Sequence, residues 1–254
     1  MKLNYKVQGS GQPVILLHGL FGSMDNLGVI GRALMDDFQV IQVDLRNHGF
    51  SPWSDDMNYT LMAQDIQSLI TLLSLQNVII IGHSMGGKVA MRLTELLPDR
   101  IKVLIVLDIA PVSYTSDSHR QVFRAINACT SYVDGNQQPN DRKSVQAIMS
   151  HYLNSSTIQF LLKSYKSEHW LFNFQAIEQH YGDICSWQQI TPYYHSTLFI
   201  RGGNSDYIQS DYYTDILNQF PYSVIETIEG AGHNVHNEKP EQIISLIKQW
   251  IMQK

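Results

Sequence analysis

The chain has 254 residues, 44% of them hydrophobic and 16% charged, and a formal net charge of −5. That length suits one large domain, or a domain carrying an insertion, with ample material for a core. No segment concentrates Lys and Arg and the balance is mildly acidic, which argues against a nucleic-acid surface. The early apolar run Pro13 to Leu17 is too short to span a bilayer and lacks the flanks of a signal peptide, so no membrane span is expected. Two cysteines, Cys129 and Cys185, have neither metal-like nor redox-like spacing. Free thiols in a reducing cytoplasm are the first expectation for them, and a disulfide is the alternative.

In chain order, Leu3 to Val7 reads as an edge strand and Val14 to Leu17 as a buried strand. A helix follows over Leu27 to Met35, then a strand over Val40 to Val43 and a helix over Tyr59 to Leu73. The run Val78 to Ile81 is a third buried strand, Lys88 to Leu97 a helix ended by Pro98, and Val103 to Leu107 another strand. Between Pro111 and Pro192 the buried β-like runs vanish, and the segment becomes polar, helical in period and rich in aromatics. This predicts a helical insertion sitting on the sheet, with a flexible loop at Asp134 to Asp141. Buried strands at Thr197 to Ile200 and Val224 to Ile228, and helices at Tyr212 to Asn218 and Glu241 to Met252, complete the chain. Strands alternating with helices predict an α/β fold with a parallel sheet covered on both faces.

The chemistry centres on Gly82-His83-Ser84-Met85-Gly86-Gly87. A β-branched run stops at Gly82 and leaves Ser84 between glycines before a helix-forming stretch, which is the pattern of a nucleophile elbow. The bend leaves no room for bulky neighbours where strand and helix cross, and Gly82, Gly86 and Gly87 supply small ones. A serine hydroxyl is a poor nucleophile at neutral pH, so Ser84 requires a base and a third group to orient that base. His233 follows the last predicted strand in Gly230-Ala231-Gly232-His233 and precedes a helix opened by Pro240. His236 is its nearest competitor. Two aspartates follow strands at the carboxyl edge of the sheet, where open α/β sheets place their sites. Asp108 comes after Val103 to Leu107 and is preferred; Asp206, in Arg201-Gly202-Gly203-Asn204-Ser205-Asp206, is the alternative. An oxyanion must also be held by pre-aimed backbone amides. The amide of Met85 is one candidate, and the second falls in the loop His18-Gly19-Leu20-Phe21-Gly22, assigned to Leu20 with Phe21 as its neighbour.

With these pieces placed, the chain resembles the α/β-hydrolase superfamily over its whole length. The carriers are the His18 to Gly22 loop, Asp44-Leu45-Arg46-Asn47-His48-Gly49-Phe50-Ser51, the Ser84 elbow and Gly230 to His233. A narrower likeness to esterases of that superfamily is carried by Leu20 to Leu27, Val106 to Val112, Ile158 to Ser164 and Gly202 to Ser205. The resemblance implies the α/β-hydrolase fold, a mostly parallel central sheet with helices on both faces, with a core of 1–111 and 192–254 and a helical cap of 112–191. It implies hydrolysis of small-molecule acyl esters, with acyl-CoA thioesters among the candidate substrates, and supports Asp108, because members exist whose acid follows the strand after the elbow. No metal or organic cofactor is required, since serine, histidine, acid and oxyanion hole complete the chemistry.

A serine in the elbow argues against the branches of the superfamily that place aspartate there. Lyase or carbon–carbon hydrolase chemistry on a small acid is the enzymatic alternative, for which Arg46, Arg120 or Arg124 would have to line the pocket. A catalytically silent binding protein on the same fold is the non-enzymatic one. The insertion should overhang Ser84, and Phe21, Tyr114, Phe123, Phe160, Trp170 and Phe174 are the candidates to face an apolar acyl pocket.

Overall fold

The computed structural model describes residues 1–115, 117, 119–130 and 141–253. Strand β1 (Tyr5–Gln8) leads to β2 (Pro13–Leu17), α1 (Gly28–Leu34), β3 (Gln39–Val43), α2 (Tyr59–Leu72), β4 (Val78–His83), α3 (Met85–Leu96) and β5 (Ile101–Leu107). The chain then leaves the sheet through α4 (Arg120–Thr130), α5 (Arg142–Met149), α6 (Ser155–Leu162), the short strands β6 (Tyr165–Lys166) and β7 (His169–Trp170), α7 (Phe174–Gln179) and α8 (Tyr181–Cys185). It returns as β8 (Ser196–Gly202), α9 (Tyr213–Gln219), β9 (Ser223–Ile228), α10 (Val235–Glu238) and α11 (Pro240–Met252). Seven strands form one sheet in the order β1-β3-β2-β4-β5-β8-β9, antiparallel at β1 and parallel elsewhere.

Successive side chains of a strand point to opposite faces, and the apolar runs divide accordingly. Ile15, Leu17, Val78, Ile80, Leu104 and Val106 join the core that also holds Met62 and Ile66 of α2, Val89 and Leu93 of α3, and the apolar residues of α4 to α8. Val14, Leu16, Ile79, Ile81, Val103 and Ile105 face the other core, with Ile30 and Leu34 of α1 and Ile243, Ile247 and Ile251 of α11. Burial on both faces is why these strands read as continuous β-branched runs.

Three sequence expectations are corrected. The run Val224 to Ile228 was expected to be buried, but β9 is the sheet's outer strand, paired only with β8, and Val224 is 40% exposed. The insertion is not wholly helical: β6 and β7 form a small antiparallel hairpin whose central residues, Ser167 and Glu168, have φ of 49° and 69°. Positive φ at both turn positions is what a two-residue hairpin of type I′ needs, and the usual Asn-Gly signal is missing there. Helix α3 begins at Met85 rather than Lys88, because the elbow drives two glycines into a helix they would not initiate by propensity. The loop expected at Asp134 to Asp141 lies outside the described residues except for Asp141, whose side chain caps α5 by accepting from the amides of Lys143 and Ser144. Both cysteines are buried free thiols. Among the described residues no helix is long and apolar enough to cross a membrane.

Candidate active site

At the carboxyl end of β4, Ser84 adopts φ 51° and ψ −119°. A non-glycine residue there is strained, and such strain persists only where the surroundings over-determine it. Here the amide of Ser84 donates to Leu107 O at 3.0 Å, while its carbonyl accepts from Gly87 N at 2.8 Å and Lys88 N at 3.1 Å. A Cβ on Gly82 would overlap the carbonyl of Gly86, and one on Gly86 would overlap the carbonyls of Leu17 and His18. The turn is therefore closed around glycine at those two positions, and the serine side chain is left standing above the sheet.

The loops after β5 and β9 meet it there. Ser84 Oγ lies 2.9 Å from His233 Nε2, and His233 Nδ1 lies 2.7 Å from Asp108 Oδ2. Asp108 is fully buried, with φ 52°. Its Oδ1 accepts from Gly202 N at 2.8 Å, and its Oδ2 also accepts from the Ser205 hydroxyl. Three donors, including the imidazole, offset the cost of burying this carboxylate. Asp206, the alternative acid, is exposed and makes no bond to His233; its neighbour Ser205 points to Asp108 instead. The imidazole is fixed from two further directions. Tyr207 stacks on its ring at 3.9 Å between centroids and 23° between planes, and His83 Nε2 donates to the His233 carbonyl at 2.9 Å. His236 is buried away from Ser84, with its ring against His83 at 4.5 Å and its Nε2 accepting from Asn237.

Two backbone amides flank the serine. That of Met85 opens α3 and so has no intrahelical acceptor. In the facing loop, the amide of Phe21 donates to His48 Nε2 at 3.1 Å, so of the two candidates in that loop Phe21 is already engaged. His48 Nδ1 donates to Arg46 O at 2.9 Å, so its other nitrogen is the acceptor, and burial beside His18 pushes its pKa down to about 3. His18 repeats this logic: Nδ1 donates to Gly19 O at 2.8 Å and Nε2 accepts from Leu45 N at 3.1 Å. Two neutral histidines thus brace the loop that carries Leu20. Replacing His48 by alanine is expected to release Phe21 and let that loop drift. Turnover should fall by up to about 10²-fold with a smaller change in KM, because misplacement by about 1 Å costs on that order. Steady-state kinetics on a chromogenic ester decide it, and unchanged kcat would dissociate the brace from the chemistry.

The buried histidines carry a cost in acid. Burial pushes His236 and His48 down to about 3, and lowers His18 and His83 as well. Since the unfolded values lie near 6.5, the unfolded chain takes up protons first as pH falls. The stability these groups contribute is complete above about pH 6.5 and is lost progressively toward about pH 3. The thermal unfolding midpoint should therefore be level just above neutrality and decline steadily below it. A midpoint that does not move between pH 7 and 4.5 would contradict this account.

Two connected lobes open beside Ser84, sharing Leu20 and His119. The larger, about 260 Å³, is lined by Gly19, Phe21, Val122, Phe160, Leu161 and His233. The smaller, about 40 Å³, is lined by Tyr59, Met85, Lys88, Tyr114, Ile184 and Tyr207. Of the aromatic candidates, Phe21 and Phe160 therefore reach the larger lobe and Tyr114 the smaller. Phe123, Trp170 and Phe174 line neither. Phe123 packs edge-on to Phe21 and Tyr181 and against Phe174, while Trp170 stacks on Phe172 at 5.1 Å. Their rings fill the interior of the insertion. Val122, Leu161, Tyr59 and Lys88 were missed by the sequence reading; Val122 lay within a recognisable apolar helix face, but periodicity does not say which edge of that face meets a cavity. None of the three arginines lines either lobe. Arg46 binds Asp65 at 2.7 Å and the Asp56 and Leu61 carbonyls, Arg120 pairs with Asp117 at the surface, and Arg124 is exposed.

The sheet order agrees with the fold of known proteins that the chain resembles. A family model described as the alpha/beta hydrolase fold matches residues 12–240, and the chain belongs to that family. It is 44% identical to the esterase YbfF of Escherichia coli (strain K12), over 99% of both chains. It is 36% identical to the sn-1-specific diacylglycerol lipase ABHD11 of Mus musculus, over 94% of this chain and 80% of that one. Among solved structures, a marine microorganism esterase superposes with a TM-score of 0.90 at 39% identity, covering 98% of this chain and 99% of the other.

Proposed function

We propose that the chain is a serine hydrolase that cleaves carboxylic esters through an acyl-enzyme intermediate on Ser84. The observation that carries this reading is His233 bridging the Ser84 hydroxyl and the buried Asp108 carboxylate, at 2.9 and 2.7 Å. In this mechanism Ser84 Oγ attacks the ester carbonyl as His233 Nε2 takes its proton. Asp108 keeps the ring proton on Nδ1 and stabilises the imidazolium. The amides of Leu20 and Met85 hold the oxyanion. His233 then returns the proton to the leaving oxygen, and water, activated by the same nitrogen, releases the acid.

Because the leaving oxygen must face His233, the alcohol or thiol belongs in the larger lobe that His233 lines, and the acyl remainder in the smaller lobe beside Met85. Residues 112–191 act as a cap that supplies the outer wall of both. Acyl-CoA thioesters fall within the same chemistry, since thiolate departure needs less help from the acid. The names of its relatives, esterase and lipase, support the ester reading, and the two buried free thiols support a reducing cytoplasm as its place of work. The small-acid alternative loses its arginines, which lie elsewhere. A fluorophosphonate probe should label Ser84 stoichiometrically, and acetyl or butyryl p-nitrophenyl esters should turn over; labelling of another residue would refute the assignment.

A further inference from the structure

The helix that follows Ser84 carries a buried amine into the smaller lobe. Lys88 sits four residues on, about one helical turn, and is 1% exposed. Its Nζ donates to the carbonyls of Ser186 at 3.2 Å and Cys185 at 3.4 Å, and lies over the rings of Tyr114, Tyr59 and Trp187 at 4.8, 5.4 and 5.8 Å. Among the described residues, no carboxylate lines this lobe and none forms an ion pair with Lys88.

The groups that face the amine come from every neighbouring element. Cys185 and Tyr181 belong to α8, Tyr59 to α2, Tyr114 and His119 to the chain after β5, and Tyr207 to the loop after β8. Arg92, one turn further along α3, lies over the far ring of Trp187 at 5.1 Å. Burial raises the Tyr59 and Tyr114 phenols and the Cys185 thiol, and pushes His119 down to about 4, so all four are neutral near pH 7. Lys88 differs: burial pushes its amine down to about 7, where it changes charge under working conditions. Carbonyls and ring faces solvate an ammonium without neutralising it. A buried charge is ordinarily paired, and an unpaired amine in a cavity that opens on a nucleophile is a binding group awaiting its counter-charge.

We propose that Lys88 is a specificity-determining residue that binds the distal carboxylate of a short acyl group, making half-esters of four- or five-carbon dicarboxylic acids the preferred acyl donors. This rests on the reading of Ser84 as the nucleophile. The lobe's volume of about 40 Å³ holds about three water-sized groups. Four residues along a helix rise about 6 Å, a span that two or three methylenes and a terminal carboxylate cover from Ser84 to Lys88.

The test compares kcat/KM for monoethyl succinate and monoethyl glutarate with ethyl butanoate and ethyl pentanoate, following ethanol release. Any pH dependence of the shared chemical step acts on both members of each pair and cancels in the ratio. At pH 6 the half-ester should be preferred by about tenfold or more, the order expected for a charge-assisted hydrogen bond. The ratio should fall as pH rises to 8.5 and the amine loses its proton, and should fall below one in Lys88→Met. If that variant does not fold, the pH dependence of the wild-type ratio decides by itself. A wild-type enzyme that hydrolyses the neutral esters with a ratio near one at every pH overturns the Lys88 proposal alone. No turnover of any ester, with no fluorophosphonate label on Ser84, overturns the nucleophile assignment and the proposal with it.

Discussion

Replacing Ser84 by alanine is expected to reduce ester turnover by about 10⁶-fold while leaving the fold intact. Loss of the nucleophile in a comparable serine hydrolase has about that effect, with the remaining rate coming from binding and the oxyanion donors. The oxyanion donors proposed for this chain, the main-chain amides of Leu20 and Met85, are not touched by the substitution. The strained backbone at φ 51° is held by hydrogen bonds to Leu107, Gly87 and Lys88 that involve no side-chain atom of residue 84, so the elbow should survive. Thermal unfolding monitored by circular dichroism checks the fold and a chromogenic ester checks the rate. Residual activity above about 1% of wild type would end the assignment, because it far exceeds what binding and the oxyanion hole supply.

Asp108→Asn should cost up to about 10⁴-fold in turnover, and Asp206→Asn should be mild. The Asp108 carboxylate accepts from Gly202 N, from the Ser205 hydroxyl and from His233 Nδ1. An amide offers one acceptor oxygen to these three donors, and its NH₂ turned toward His233 favours the tautomer with the proton on Nε2, which cannot take one from serine. Asparagine tolerates the positive φ of 52° found at this position, as few other residues do. The loss would therefore report on proton handling rather than on a broken loop. Measuring both variants on one ester settles the choice of acid, and a large loss confined to Asp206→Asn would reverse it.

Strands β2, β4 and β5 were legible in the sequence because burial on both faces makes them nearly continuous apolar runs. Strand β9 looked similar in composition and lies at the margin, a distinction set by its neighbours rather than by its own residues. Ser84 and His233 stood out for a local reason: glycines beside them mark where the backbone must approach closely. The acid could not be separated so readily, since Asp108 and Asp206 both follow strands at the same edge. What separates their surroundings is the side chain of Ser205 and the amide of Gly202, nearly a hundred residues from Asp108. Lys88 was least visible. A lysine on an amphipathic helix ordinarily reads as solvated, and only the packing of α8 and the three aromatic rings over α3 shows it buried.

The excursion between β5 and β8 leaves the carboxyl end of one strand, at Leu107, and re-enters at the amino end of its parallel neighbour, where Ser196 lies opposite Val103. Both ends are thus fixed in the sheet, a strand length apart, whatever lies between them. Closing a flexible loop of twice the length costs only about 0.6 kcal/mol more, a small fraction of the ~5 to 15 kcal/mol by which a domain is stable. Length can be added to this segment at little cost in loop closure, while Asp108 at its entry, and Gly202 and Ser205 at the far end of β8, stay placed by strand pairing. The lining that Val122, Phe160 and Leu161 give the larger lobe can therefore change without moving the groups held by the sheet.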